Sequence, residues 1–254
     1  LLARSLLGAG RPHEVHEAIG QVIAAAPAGG NRPEVLRLKG VLAEAEYVRA
    51  NLDEAAGLCR DLASASNLPA EDKARVRNTL GKVYLARGKY QEAERIFRDN
   101  LAKARKAGLD RHALISRINA GVARIRLLHY SSAKKLLVEA LGEAVEKGFY
   151  REEAIARENL ATVHHMLRDY GEAMEHYRAA FALLRYLGNP EYLARIANNL
   201  GEIYIRFGDV DRAGATRSFA MRMGAEHPVS RVEAEGLLLE GRIHLMQGNS
   251  GRAS

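Results

Sequence analysis

The chain has 254 residues, 47% of them hydrophobic, with 23 glycines, 6 prolines, one cysteine and no tryptophan. That composition can bury a large core and favours uninterrupted helices. It excludes an internal disulfide framework, because Cys59 stands alone, and a membrane span, because no run approaches the ~18 apolar residues required.

The opening Leu1-Leu2-Ala3-Arg4-Ser5 is too short and too early charged for a signal peptide. A cytoplasmic setting is expected. With no initiator Met and a last copy cut at Ala253-Ser254, the sequence reads as a piece of a longer protein.

Taken in order, the chain predicts paired helices. Residues 1–9 read as the remnant of one helix, broken by Arg11-Pro12 before another at about 13–26. The stretch from Pro27 to Pro33 is the longest punctuation in the chain. Helices are expected next at about 34–50 and 52–65, with Asn67 to Asp72 ending that pair. Pairs follow at about 72–87 with 90–107, 111–128 with 130–147, 151–168 with 170–187 and 191–207 with 210–224. His227-Pro228 stops the last of these, and one more helix occupies about 230–247. Gly108, Gly148 and Gly188 separate successive pairs, where a helix end favours glycine. No segment alternates with period two for long enough to be a strand.

The pairs repeat. Asn199-Leu200-Gly201 returns 40 residues earlier as Asn159-Leu160-Ala161, and 40 earlier again as Asn119-Ala120-Gly121. A further step gives Leu80-Gly81 with Tyr84, Gly88, Tyr90, Ala93 and Phe97, and with Asn78 one residue early. Going forward gives Gly241, Gly248 and Ala253, while the earliest copy, around Ala43 and Ala55, is offset by 38. Such a period marks a stacked-repeat protein. The expected organisation is a degenerate helical pair over 1–33 and a solenoid over 34–254, with repeats at about 34–70, 71–109, 110–149, 150–189, 190–228 and a truncated 229–254.

At 100° per residue, Ala197, Leu200, Gly201 and Tyr204 share one face of a first helix. The small residue (Gly81, Gly121, Ala161, Gly201, Gly241) is expected to meet the alanine of the second helix (Ala93, Ala133, Ala173, Ala213). Enlarging either should overpack the crossing. Each pair buries one side, and stacking supplies the rest.

The opposite face of the first helices should line the inside of the curve. It carries Asn78, Lys82, Asn119, Val122, Arg126, Asn159, Thr162, His165, Asn199, Glu202, Arg206 and Arg242 as candidate peptide-binding residues. Asparagine is a mediocre helix former, so three in register (Asn119, Asn159, Asn199) invite an explanation. Their amides can hold an extended backbone by accepting from N–H and donating to C=O, or can bond the neighbouring helix and stabilise the stack. Specificity would come from Ile115, Ile118, Val122, Ile125, Met166 and flanking charges.

The net charge is +7, and Arg37, Arg75, Lys82, Arg126, Arg195, Arg206 and Arg242 face Glu44, Glu158, Glu202 and Glu235 on this surface. It leans basic and suits an acidic or carboxylate-ended peptide. Nucleic acid is not expected, since the arginines are dispersed and the face lacks a series of stacking aromatics.

Catalytic readings fare poorly. His13-Glu14-Val15-His16 lacks zinc-protease spacing, so surface histidines are expected there. Glu172, Glu175 and His176 lack a matching set on another helix, and Gly8-Ala9-Gly10 lacks the setting of a phosphate loop. His164-His165 splits between the packing and inner faces. No catalytic residue, metal or cofactor is expected, and Cys59 reads as a buried small hydrophobe.

Leu80-Gly81, Tyr84, Gly88, Tyr90, Ala93 and Phe97 resemble the tetratricopeptide repeat, as do Leu200-Gly201, Tyr204, Gly208 and Ala213. The 40-residue period is similar to the longer-helix variety of kinesin light chain, polarity scaffolds and bacterial MalT-like and Rap-type regulators. Departures are Arg77, Arg117, Arg157, Ala197 and Leu237 in place of an aromatic, and Arg124, His164 and His244 in place of the tyrosine. The resemblance implies an all-α, right-handed superhelix of antiparallel helix pairs, in which an asparagine ladder grips a bound peptide's main chain. The expected function is a non-catalytic protein–protein interaction module binding a peptide or protein segment in the concave groove of a larger regulatory protein. The alternative is a ligand-sensing or autoinhibitory domain of a transcriptional or signalling regulator. The last helix is available to pair with a second copy of the chain.

Overall fold

The computed structural model describes residues 12–24, 32–188, 190–226 and 230–248. Every regular element among them is an α-helix. The first six are α1 (Pro12–Ala24), α2 (Pro33–Val48), α3 (Leu52–Ser64), α4 (Ala70–Ala86), α5 (Tyr90–Lys106) and α6 (Asp110–Arg126). They are followed by α7 (Tyr130–Glu146), α8 (Tyr150–Met166), α9 (Tyr170–Leu187), α10 (Pro190–Arg206), α11 (Val210–Glu226) and α12 (Ser230–Met246). These helices sit where the hydrophobic period and turn residues place them. The helix expected at 1–9, the punctuation at 27–31, the Gly8-Ala9-Gly10 run, the stop at His227-Pro228 and the small residue Ala253 lie outside the described residues. No helix among the described residues is long and apolar enough to cross a membrane.

Turn chemistry explains the sharp ends. Gly88 and Gly208 take φ of 73°, and the next N–H groups, of Lys89 and Asp209, return to the Tyr84 and Tyr204 carbonyls at 2.9 Å. This left-handed cap satisfies carbonyls that the helix end leaves open. The same bond forms in other copies with side-chain-bearing residues at the left-handed position: Ala50 (φ 63°), Leu128 (φ 61°) and Arg168 (φ 63°).

The chain divides into two compact units, Leu1–Leu136 and Leu137–Ser254, each with its own core. In the first, Leu36, Ala43, Ala55, Cys59, Leu62, Val76, Leu80 and Val83 form one cluster, and Ala93, Phe97, Ala120 and Ala123 another. Asn100 of α5 is buried and donates to the Ala74 carbonyl of α4 and to Ser116 Oγ of α6, at 2.9 Å each. One second helix thereby ties its own first helix to that of the next pair. Cys59 is fully enclosed, and burial, with the Glu44 charge adding to it, pushes its thiol up to about 12. In the second unit Ala154, Ala161, Ala173, Tyr177, Leu184, Ile196, Leu200 and Ile203 form the main cluster.

The small-residue crossing differs in detail from the expectation. Ala93 and Ala213 are fully buried, yet the Phe97 ring occupies the place a side chain on Gly81 would need. A Cβ on Gly201 would stand 2.5 Å from Leu239 Cδ2 and 2.7 Å from Thr216 Oγ1. Side chains on a helix lean toward its N-terminus, so residues three or four beyond the alanine cover the turn that the alanine occupies.

Candidate functional site

In the first unit the exposed edge of the first helices carries Asn78 and Lys82 on α4 and Asn119, Val122 and Arg126 on α6. All are half-buried except Arg126, which is exposed. Asn119 Nδ2 donates to Asn78 Oδ1 at 2.7 Å, joining successive first helices. Lys82 Nζ lies 5.9 Å from the centre of the Tyr47 ring. Charges are paired along the same helices: Asp72 meets Arg37 at 3.1 Å and Arg75 at 2.9 Å, and Arg75 also meets Glu71 at 2.7 Å.

In the second unit the corresponding positions are Asn159, Thr162 and His165 on α8, Asn199, Glu202 and Arg206 on α10, and Arg242 on α12. Asn159 Nδ2 donates to the Ile155 carbonyl of its own helix at 2.8 Å. Thr162 Oγ1 lies 3.1 Å from the Glu158 carbonyl and 3.2 Å from the Tyr177 hydroxyl. Asn199 is half-buried and makes no side-chain hydrogen bond among the described residues. Arg195 clamps Glu158 with two bonds, at 2.5 and 2.6 Å, and its guanidinium lies 4.3 Å from the centre of the Tyr192 ring. Arg242 pairs with Glu202. Arg206 is exposed and has no ion pair among the described residues.

His165 sits edge-on to Tyr170, and Tyr170 edge-on to Phe207, with ring centres 5.6 and 5.8 Å apart. Burial, then the Arg206 and Arg242 charges, hold the His165 imidazole below the ordinary histidine value. It is therefore neutral at neutral pH and can donate and accept at once.

In each unit the outward strip is narrower than the helical wheel suggests. Ile118, Glu158 and Asn198, read as lining it, are only 2%, 4% and 2% exposed. Within a unit first helices also pack against one another, α2 on α4, α4 on α6 and α10 on α12, so a first helix buries more than one face. On α4 the pattern slips by one: Thr79 is the buried residue there and Asn78 the half-buried one. The basic lean also shrinks, since Arg37, Arg75, Arg195 and Arg242 are paired with carboxylates.

Two clusters escaped the sequence reading. Glu46 is fully buried and accepts hydrogen bonds from Asn51 at 2.6 Å and Arg49 at 2.8 and 3.0 Å, with His16 Nδ1 at 2.5 Å. His13 is exposed as expected, whereas His16 is half-buried against this carboxylate. The only sequence signal was Glu46 standing three after Ala43, where other copies carry Tyr84 or Tyr204. The second cluster corrects the reading of Glu172 and His176: a partner does reach them from another helix, His164 of α8.

Family models of the tetratricopeptide repeat match residues 1–69, 74–107 and 151–216. A comparison with curated protein sequences gives no match. Among solved structures, BtubC (BKLC) from P. vanneervenii superposes with a TM-score of 0.63 at 20% identity, over 82% of this chain and 86% of that one. A Rap protein complexed with competence and sporulation factor gives a TM-score of 0.78 at 17% identity, over 93% of this chain and 66% of that one. The Rap conjugation gene regulator of the plasmid pLS20, solved in complex with a peptide, gives 0.74 at 16% identity, over 84% of this chain and 59% of that one. The chain thus spans 66% and 59% of the length of the two Rap proteins. At such identities these likenesses speak for the fold, and they agree with the family matches and the helical hairpins. The chain is a tetratricopeptide-repeat protein, an all-α repeat fold of the kind built for protein interaction.

Proposed function

We propose that the chain is a non-catalytic interaction module, part of a larger cytoplasmic regulatory protein, that holds an extended protein segment against its first-helix faces. The observation that carries this reading is Asn199, in register with Asn119 and Asn159, half-buried, and without a side-chain hydrogen bond among the described residues. A polar group in that situation favours a partner, and an amide matches both groups of a peptide bond. Arg206, two turns further along α10 and exposed, suits an acidic side chain or a terminal carboxylate. The Rap proteins solved with a peptide or factor bound support the same use of a similar fold. An internal segment of the same regulator would be held by the same groups.

The test is selection of binders from a displayed random peptide library, followed by titration of a selected peptide. Losing one net hydrogen bond, ~0.5–1.5 kcal/mol, should weaken binding by roughly 2- to 12-fold in Asn199→Ala. The melting temperature should not move, because the amide holds nothing else in place. Equal binding by the variant, or a loss matched by a fall in melting temperature, would remove the support for this reading.

A further inference from the structure

We propose that the α8–α9 hairpin carries a binding site for a divalent transition-metal ion of the zinc class, formed by His164, Glu172 and His176. One ring nitrogen of each histidine and one Glu172 carboxylate oxygen lie within 4.8 Å of one another. The two imidazole rings are tilted by 38°, with centres 5.6 Å apart. Glu172 and His176 are four residues apart on α9, so they stand one above the other on the same face. His164 faces them from the last turn of α8.

Two imidazoles and a carboxylate form a donor set suited to a borderline ion such as Zn²⁺, with water completing the tetrahedron. Metal–ligand bonds of ~2.0–2.2 Å place ligand atoms about 3.3 Å apart. The exposed, flexible Glu172 side chain can close that gap. Exposure rises across the set, from His164 at 4% through the half-buried His176 to the exposed Glu172, so an ion can enter from solvent and keep a water.

One further feature prepares a donor. His164 Nδ1 lies 2.9 Å from Asp169 Oδ2, an arrangement that places the proton on Nδ1 and leaves Nε2 with its lone pair.

The repeats themselves show that packing does not demand these residues. At the places of His164, Glu172 and His176 three other copies carry Tyr84, Glu92 and Ile96; Arg124, Ser132 and Leu136; and Tyr204, Arg212 and Thr216. The hairpin folds with an aromatic ring and an aliphatic side chain there, so the paired imidazoles answer to something other than the fold.

The experiment uses the full 254-residue chain, stripped with a chelator and titrated with Co²⁺. The visible absorption of four-coordinate cobalt should appear at one equivalent and be displaced by Zn²⁺, which should also raise the melting temperature. Glu172→Gln and His176→Asn should each weaken binding about tenfold or more while leaving the metal-free melting temperature in place. His164→Tyr, which restores the residue found at Tyr84 and Tyr204, should abolish the band and keep the fold. His13→Asn with His16→Asn, which touches only the contact to Glu46 on another hairpin, should leave the cobalt band unchanged. Absence of a cobalt band, its survival in the Glu172→Gln/His176→Asn double variant, or its loss in the His13/His16 variant would overturn the proposal.

Discussion

The hairpins α2–α3 and α10–α11 solve one structural problem in opposite ways. Three residues after the small residue, the first has Glu46, fully buried and bonded to Asn51, Arg49 and His16; the second has Tyr204, half-buried, with the Arg212 guanidinium 5.1 Å from its ring centre. The backbone around them is the same: the carbonyls of Glu46 and Tyr204 accept the N–H five residues on, from Asn51 and Asp209, at 2.9 Å each. What the position requires is therefore a group that binds the first helix to the turn and its surroundings, and an aromatic face meets that requirement with little loss of hydration. A carboxylate meets it only when its lone pairs are all answered, since a buried charge without partners is costly. Glu46 thus brings its own donors, Arg49 and Asn51, from the next five residues.

Three substitutions break or sharpen this comparison on the backbone side. Gly201→Leu should be the most damaging, because even its first carbon would stand 2.5 Å from Leu239 and 2.7 Å from Thr216. A loss of about 3 kcal/mol in urea unfolding is expected. Unchanged stability would mean that α12 moves aside freely. The turns come next. Gly208 (φ 73°) has nothing within 4 Å of where a Cβ would stand, while Ala50 takes the same left-handed conformation (φ 63°) with a side chain. Gly208→Ala should cost about 1 kcal/mol through backbone strain alone. Ala50→Gly should gain less, because glycine also loosens the unfolded chain. Equal and opposite effects would show that the unfolded state plays no part.

How much of this could be read from residues alone follows from how many partners each position has. Helix ends were legible because a single local cause, a glycine or a left-handed cap, sets them. The outward row of Asn119, Val122, Asn159, Thr162, Asn199 and Glu202 was placed by counting 100° per residue, and these residues are half-buried. The count failed at Ile118, Glu158 and Asn198 because it assumes one packing partner, and a first helix has several. The Asn119–Asn78 bond was not legible, because the 40-residue period shows Asn78 one residue early but not that its amide meets the next first helix. His164 joins Glu172 and His176 across a turn, a single ligand from the neighbouring helix that a search for a second spaced motif passes over. Glu46 was hidden for a related reason: its partner His16 is 30 residues away, on a helix outside the regular repeat.

The smallest effect to separate the two hairpins is their response to acid. Burial alone would raise the Glu46 carboxyl, but the hydrogen bonds from Asn51, His16 and Arg49 and the Arg49 charge outweigh it and hold the group below its ordinary value of 4.5. The sign follows from linkage: a carboxyl with a lowered folded pKa adds stability above its unfolded value, and that stability is lost as pH falls through the folded value. Wild type should therefore melt above Glu46→Gln at pH 7, and the gap should close as the pH drops through and below the carboxylate range. Tyr204→Phe should leave a difference from wild type that does not vary over the same interval, since it removes no carboxylate. A Glu46→Gln gap that stayed constant down to about pH 3 would show that Glu46 acts through shape and hydrogen bonding rather than charge, making it equivalent to the tyrosine after all.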